Sequence, residues 1–161
     1  MRIIGIDPGT GILGFGVVDI LDGGKVKMVD AGVITTPVHT PHDERLEDIF
    51  DSLTDIVKAT KPDVMSVEKL FFSRNITTAM TVAEARGVAL LVGRRAKLPI
   101  AEYTPMQIKQ TLTGYGKADK KQVQEMVRLQ LGLKVVPKPD DCADALAAAI
   151  THSLMARVEQ Q

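Results

Sequence analysis

The chain has 161 residues, 45% apolar and 25% charged, with a formal net charge of zero, which fits one globular domain over 1–161 with a substantial core. A single cysteine, Cys142, excludes an intrachain disulfide and any CxxC zinc site, and His39, His42 and His152 form no metal-binding spacing, so any metal would rest on oxygen ligands. No apolar run approaches the ~18 residues of a spanning helix, and Met1-Arg2 leads into a strand rather than a signal peptide. A cytoplasmic protein without a membrane segment is expected.

Arg2 to Asp7 is a short, nearly continuous apolar run, the pattern of a strand buried on both faces. Pro8-Gly9-Thr10-Gly11 is a turn cluster, and Leu13 to Ile20 resumes strand composition, giving a hairpin. After Asp22-Gly23-Gly24-Lys25, Val26 to Thr36 reads as a third strand, completing an antiparallel meander. Pro37 to Asp43 reads as a loop that carries His39 and His42 on the surface. Glu44 to Thr60 has helical periodicity through Leu46, Ile49, Phe50, Leu53, Ile56 and Val57. Val64 to Glu68 is a short strand, Asn75 to Lys97 a long helix and Pro99 to Tyr103 a last strand, followed by two or three shorter helices. The predicted architecture is a five-stranded mixed α/β sheet with helices on both faces, strands 4 and 5 lying parallel to strand 1.

The charge is unevenly spread. Residues 1–68 carry 12 acidic and 6 basic side chains, while 69–134 carry 4 acidic and 12 basic. A solvated helical face is one explanation of the basic third; a surface for a polyanion is the other. Arg94, Arg95 and Lys97 end the long helix, where cations complement its dipole or contact a polyanion. Lysines 117, 120 and 121 surround the start of a later helix, unfavourable at its positive end unless an anion sits there, and phosphate is the natural candidate.

Asp7 and Glu68 each close a predicted strand, where open α/β sheets place their sites. Asp7 is either desolvated and compensated by a cation, or hydrogen-bonded to the amides of its own turn. Asp140-Asp141-Cys142-Ala143-Asp144 opens an alanine-rich helix, with Asp140 as its N-cap and Asp141 and Asp144 one turn apart on one face. Cys142 points about 100° away and reads as a small core residue. Capping accounts for one aspartate, not three. Four carboxylates converging on one cleft repel and call for divalent cations, and oxygen-only ligands select Mg²⁺ or Mn²⁺. The matching chemistry is two-metal phosphodiester hydrolysis.

Several motifs carry a family resemblance: I-I-G-I-D-P-G-T-G at 3–11, V-E-K-L-F-F-S-R-N at 67–75, A-R-G-V-A at 85–89, Q-I-K-Q-T-L-T-G-Y-G-K-A-D-K-K-Q-V at 107–123 and D-D-C-A-D-A-L-A-A-A-I-T-H at 140–152. Together they resemble the RuvC family of bacterial Holliday-junction resolvases, in order and over essentially the whole chain. The resemblance implies a ribonuclease H-like fold, a homodimer, and Mg²⁺-dependent paired nicking of four-way DNA junctions that leaves 5′-phosphate and 3′-hydroxyl ends. Two ions per site are implied, with Mn²⁺ able to replace Mg²⁺, and a branch-migration complex of RuvA and RuvB as partner. The family's acidic tetrad falls on Asp7, Glu68, Asp141 and Asp144, with 140 versus 141 the open choice. Phe71 matches an aromatic that inserts at unpaired bases, against the alternative that Phe71 and Phe72 are both core. Lys109 and Lys120 match lysines near the scissile phosphate, Lys120 suited to stabilising transition-state charge. Arg74, Lys117 and Lys121 fall among the DNA-positioning residues.

Alanines and a glycine at 79, 83 and 87 line one side of the long helix, fitting close approach to the sheet or to a second copy. Two rival functions differ in their chemistry. A non-catalytic junction binder would show affinity without Mg²⁺-stimulated nicking. An actin or sugar-kinase type nucleotide-binding domain would need a second lobe.

Overall fold

The computed structural model describes residues 1–71 and 76–158. Strand β1 (Arg2–Asp7) is the centre of the sheet: Ile3 faces one apolar layer, Ile4 and Ile6 the other, and all three are fully buried. It pairs antiparallel with β2 (Ile12–Ile20), which pairs antiparallel with β3 (Val26–Thr35). A register shift between Val17 and Val18 leaves Val29 outside the ladder, as a bulge does. On its other side β1 pairs parallel with β4 (Val64–Glu68), which pairs parallel with β5 (Ile100–Tyr103). The order β3-β2-β1-β4-β5 is the mixed sheet expected, and it is the ribonuclease H-like arrangement.

Helices cover both faces. On one, α1 (His42–Thr60) and α2 (Ile76–Arg95) bury Ile49, Leu53, Val57, Ala85, Ala89 and Val92 against Ile4, Ile6, Met65 and Val67. On the other lie α3 (Pro105–Thr113), α4 (Lys120–Gln130) and α5 (Asp140–Val158). Helix α1 begins two residues earlier than periodicity indicates, so His42 belongs to a helix and not to the loop; it is half-buried and pairs with Glu84 of α2. Lys61 closes α1 with φ 50°, and Pro62 cannot continue it. Three helices follow β5, each shorter than the 20-residue α2, although α5 with 19 residues is nearly as long. Asp140 is the first residue of α5 rather than its cap.

Helix α5 crosses the centre of the sheet almost without side-chain spacers. A Cβ added to Gly5 would lie 2.0 Å from the Ala145 carbonyl, and one on Gly14 would lie 2.1 Å from that of Asp141. Ala143, Ala145, Ala147, Ala148 and Ala149 are all buried there. Ser66 of β4, fully buried, donates to the Ala148 carbonyl at 2.7 Å and fixes the helix to the parallel half of the sheet.

One expectation needs correction. Among the described residues α2 is, by length and composition, long and apolar enough to cross a membrane, so the chain does hold such a run. It nevertheless carries Glu84 and Arg86, and its inner face packs in the core. Its outer face is open: Ile76, Met80 and Leu91 are more than half exposed, and nothing lies within 4 Å of a Cβ built on Gly87. Of the small-residue line only Ala79 is buried; Ala83 and Gly87 face outward.

Candidate active site

Ile6 and Val67 are register partners, so Asp7 and Glu68 leave adjacent parallel strands side by side. Gly14 admits the first turn of α5 against the same end of the sheet, bringing Asp141 and Asp144 alongside. The four carboxylates act on one another. Burial first, then the charges of Glu68, Asp144 and Asp141, push Asp7 up to about 8, with Lys120 opposing. Burial and Asp144 raise Glu68 to about 7, against Lys109 and Lys120. Asp144 is raised too, mainly by burial and by Asp141 and Asp140, while Lys120 pulls the other way. Among the described residues no amide of the 8–11 turn donates to the Asp7 carboxylate, which removes the bland reading of that residue.

The neighbouring aspartates differ in their partners. The Asp140 carboxylate accepts from Lys138 Nζ at 2.8 Å and lies 3.6 Å from Lys120, which together hold it below the usual carboxylate range. Asp141 instead acts directly on Asp7. Both act on Asp144, but of the two only Asp140 is paired with lysines among the described residues.

Asp119 caps α4, accepting from Gln122 N at 2.8 Å in a capping box, and this sets Lys120 at the first helical position. Its ammonium lies 3.1 Å from Asp144. The anion that offsets a lysine at this helix start is therefore the chain's own carboxylates, not only an external phosphate as the sequence suggests. Lys109 on α3 joins Lys120, Glu68 and Asp144 around a cleft of about 260 Å³. A second hollow of about 220 Å³ shares Glu68 and adds Asp7, Phe71 and Arg86. One groove thus passes Glu68 with lysines on one wall and an aromatic on the other. Phe71 is 62% exposed, which excludes a core role for it. Phe72 and Arg74 lie outside the described residues.

Other candidates are not brought here. Lys121 faces a separate hollow with Asp119 and Glu125, and Lys117 is exposed on the loop before α4. Arg95 lies over the Phe50 ring, 6.0 Å from its centroid, at the far end of α2. Cys142 is buried, and His152 shares a 2.8 Å hydrogen bond with the Tyr103 hydroxyl. Arg86 and Thr10 were given no role by sequence reasoning, although both stand inside the quoted motifs; their contacts are described below.

Among the described residues no three acidic or imidazole side chains already close on a common ion position. The donor set still fits a hard divalent cation. All ligands are oxygens, and burial with mutual repulsion leaves Asp7 and Glu68 holding protons that a cation would displace.

Carboxylates on adjacent parallel strand ends, a carboxylate-bearing helix across them and a lysine-walled groove define a protein of the ribonuclease H-like class. The family model for crossover junction endodeoxyribonuclease RuvC matches residues 3–152. The chain belongs to the RuvC family of crossover junction endodeoxyribonucleases. It is 56% identical over 153 residues to the Brevibacillus brevis protein of that name, covering 95% of this chain and 92% of that one. The Chloroflexus aurantiacus protein is 50% identical over 161 residues, 100% of this chain and 98% of its own. Among solved structures, Thermus thermophilus RuvC in complex with Holliday junction substrate aligns with TM-score 0.93 at 39% identity, over 99% of this chain and 96% of that one. The yeast mitochondrial Holliday junction resolvase shares the fold, at TM-score 0.72 and 14% identity.

Proposed function

We propose that this chain, acting through 1–161 as one nuclease domain, resolves four-way DNA junctions by paired symmetric nicks that leave 5′-phosphate and 3′-hydroxyl ends. Asp7, Glu68, Asp141 and Asp144 hold Mg²⁺, two ions per site, with Mn²⁺ able to substitute. When bound, the ions supply an activated water and stabilise the leaving 3′ oxygen. Lys120 leaves its carboxylate partners to meet the negative charge that develops on the phosphoryl group, and Lys109 holds the scissile phosphate on the same wall. Phe71 stacks on a base at the crossover, a contact worth ~1–3 kcal/mol. Lys117, Lys121 and Arg74 are left with sequence-independent contacts to the backbone.

The observation that carries this reading is the cluster itself: half-buried carboxylates close enough to act on one another's charge, beside two lysines in an open groove. The open α2 face supports a homodimer. Ala83 and Gly87 permit close helix approach, Ile76, Met80 and Leu91 supply apolar area, and a two-fold dimer matches a two-fold junction with two sites. The working location is the cytoplasm, alongside the branch-migration proteins RuvA and RuvB. The test compares nicking of a four-way junction and a linear duplex, with and without Mg²⁺. Paired nicks in the junction alone, dependent on Mg²⁺, are expected; equal cutting of both substrates would refute junction selectivity.

A further inference from the structure

Two like-charged carboxylates do not set their own spacing; something outside the pair must hold them. Here both strand ends are held by α2. Thr10, three residues after Asp7 and only 6% exposed, donates from Oγ1 to the Thr81 carbonyl at 2.8 Å. The Thr10 carbonyl in turn accepts from Thr36 Oγ1 at 2.5 Å, and Arg45 Nε donates to Thr36 Oγ1 at 2.8 Å. The turn that follows Asp7 is thereby clamped between α1 and α2. Five residues along α2 from Thr81, Arg86 donates from Nε to the Glu68 carbonyl at 3.3 Å and pairs through Nη2 with Glu102 of β5. Its side chain is largely enclosed and lines the hollow shared by Asp7, Glu68 and Phe71.

The choice of acceptor matters. A guanidinium on the Glu68 carboxylate would neutralise it and compete with a cation. On the Glu68 main chain, with its charge met by Glu102, the same group fixes the residue and leaves the carboxylate oxygens free. Thr10 achieves the equivalent for Asp7 through a neutral hydroxyl.

We propose that Thr10 and Arg86 are positioning residues through which α2 fixes the spacing of Asp7 and Glu68, and so sets the affinity of this site for a divalent cation. The inference rests on the metal-site reading given above. Calorimetric titration of Mn²⁺ into the DNA-free full-length protein tests it, using wild type, Thr10→Val, Thr10→Ser, Arg86→Gln and Arg86→Lys. Thr10→Val and Arg86→Gln are expected to weaken Mn²⁺ binding by about 10-fold or more, as losses of outer-sphere partners do. Thr10→Ser, which keeps the hydroxyl, retains wild-type affinity. Arg86→Lys loses the two-armed fork and weakens binding even if Thr10→Val does not fold. In each weakened variant the Mg²⁺ concentration for half-maximal nicking rises by the same factor, while junction affinity in EDTA is unchanged. Wild-type Mn²⁺ affinity in folded Arg86→Gln and Arg86→Lys, or equal loss in Thr10→Ser and Thr10→Val, overturns the proposal. Absence of Mn²⁺ binding by the wild type would sink the metal-site reading itself.

Discussion

At the residue scale, the cleft is held together against its own charge. Asp7 titrates near 8 in the fold against an ordinary value of 3.8, so the folded state keeps its proton over a range in which the unfolded chain has lost it. Stability contributed by the protonated carboxyl is complete below about pH 4 and is lost progressively as the pH rises to about 8. Glu68 adds a loss in the same direction, between its ordinary 4.5 and about 7. Metal-free wild type should therefore melt at lower temperature as pH rises through this window, and Asp7→Asn should flatten that slope while abolishing nicking and keeping junction binding. Melting curves in EDTA from pH 4 to 8 check this; parallel slopes for wild type and variant would contradict it. The neighbouring aspartates separate by the same logic. Asp141→Asn should lose nicking as completely as Asp7→Asn, whereas Asp140→Asn, which frees Lys138 and loosens Lys120, should cut measurably in a single-turnover assay. Asp7 and Glu68 were legible in the sequence because each closes an apolar strand. Asp140 and Asp141 were not separable there, because the phase of the helix relative to the sheet is a property of packing.

At the element scale, glycines carry more of the site than their composition suggests. With Cβ positions 2.0 and 2.1 Å from α5 carbonyls, Gly5→Ala and Gly14→Ala cannot be absorbed by a side-chain rotation. Each should destabilise the protein by about 1–3 kcal/mol or more, read from denaturant unfolding, since overpacking displaces backbone. Helix α2 shows where pattern reading stops. A run apolar on every side has the same sequence whether its second face meets the sheet or another molecule, and only the packed structure leaves Met80, Gly87 and Leu91 outside. If the proposed dimer forms through this face, wild type sediments as a dimer and Gly87→Arg as a monomer at the same concentration, with the melting temperature unchanged. A dimeric Gly87→Arg would place the subunit contact elsewhere. The strands were read nearly to the residue because turn clusters and Pro62 punctuate them, whereas the start of α1 was missed since Pro41-His42 resembles loop chemistry.

At the scale of the molecule, a net charge of zero conceals a working division. The acidic residues of the cleft lie on β1, β4 and α5, and the lysines that face them come from α3 and α4, so the two halves of that division meet across the groove. Junction affinity should fall steeply with added salt, as counterion release requires, and Lys109→Ala should reduce the slope of that dependence by about one phosphate contact. A slope unaltered by this substitution would remove Lys109 from the DNA path.

At Gly5 and Gly14, α5 rests main chain against main chain on β1 and β2, next to the strand end that carries Asp7. The seam is set by the absence of side chains rather than by matched ones, and a chain only 39% identical to the Thermus thermophilus protein can keep its backbone path. For protein engineering the lesson is directional: core positions remote from the cleft are the ones to rebuild for heat tolerance, while this bare seam has to be inherited intact.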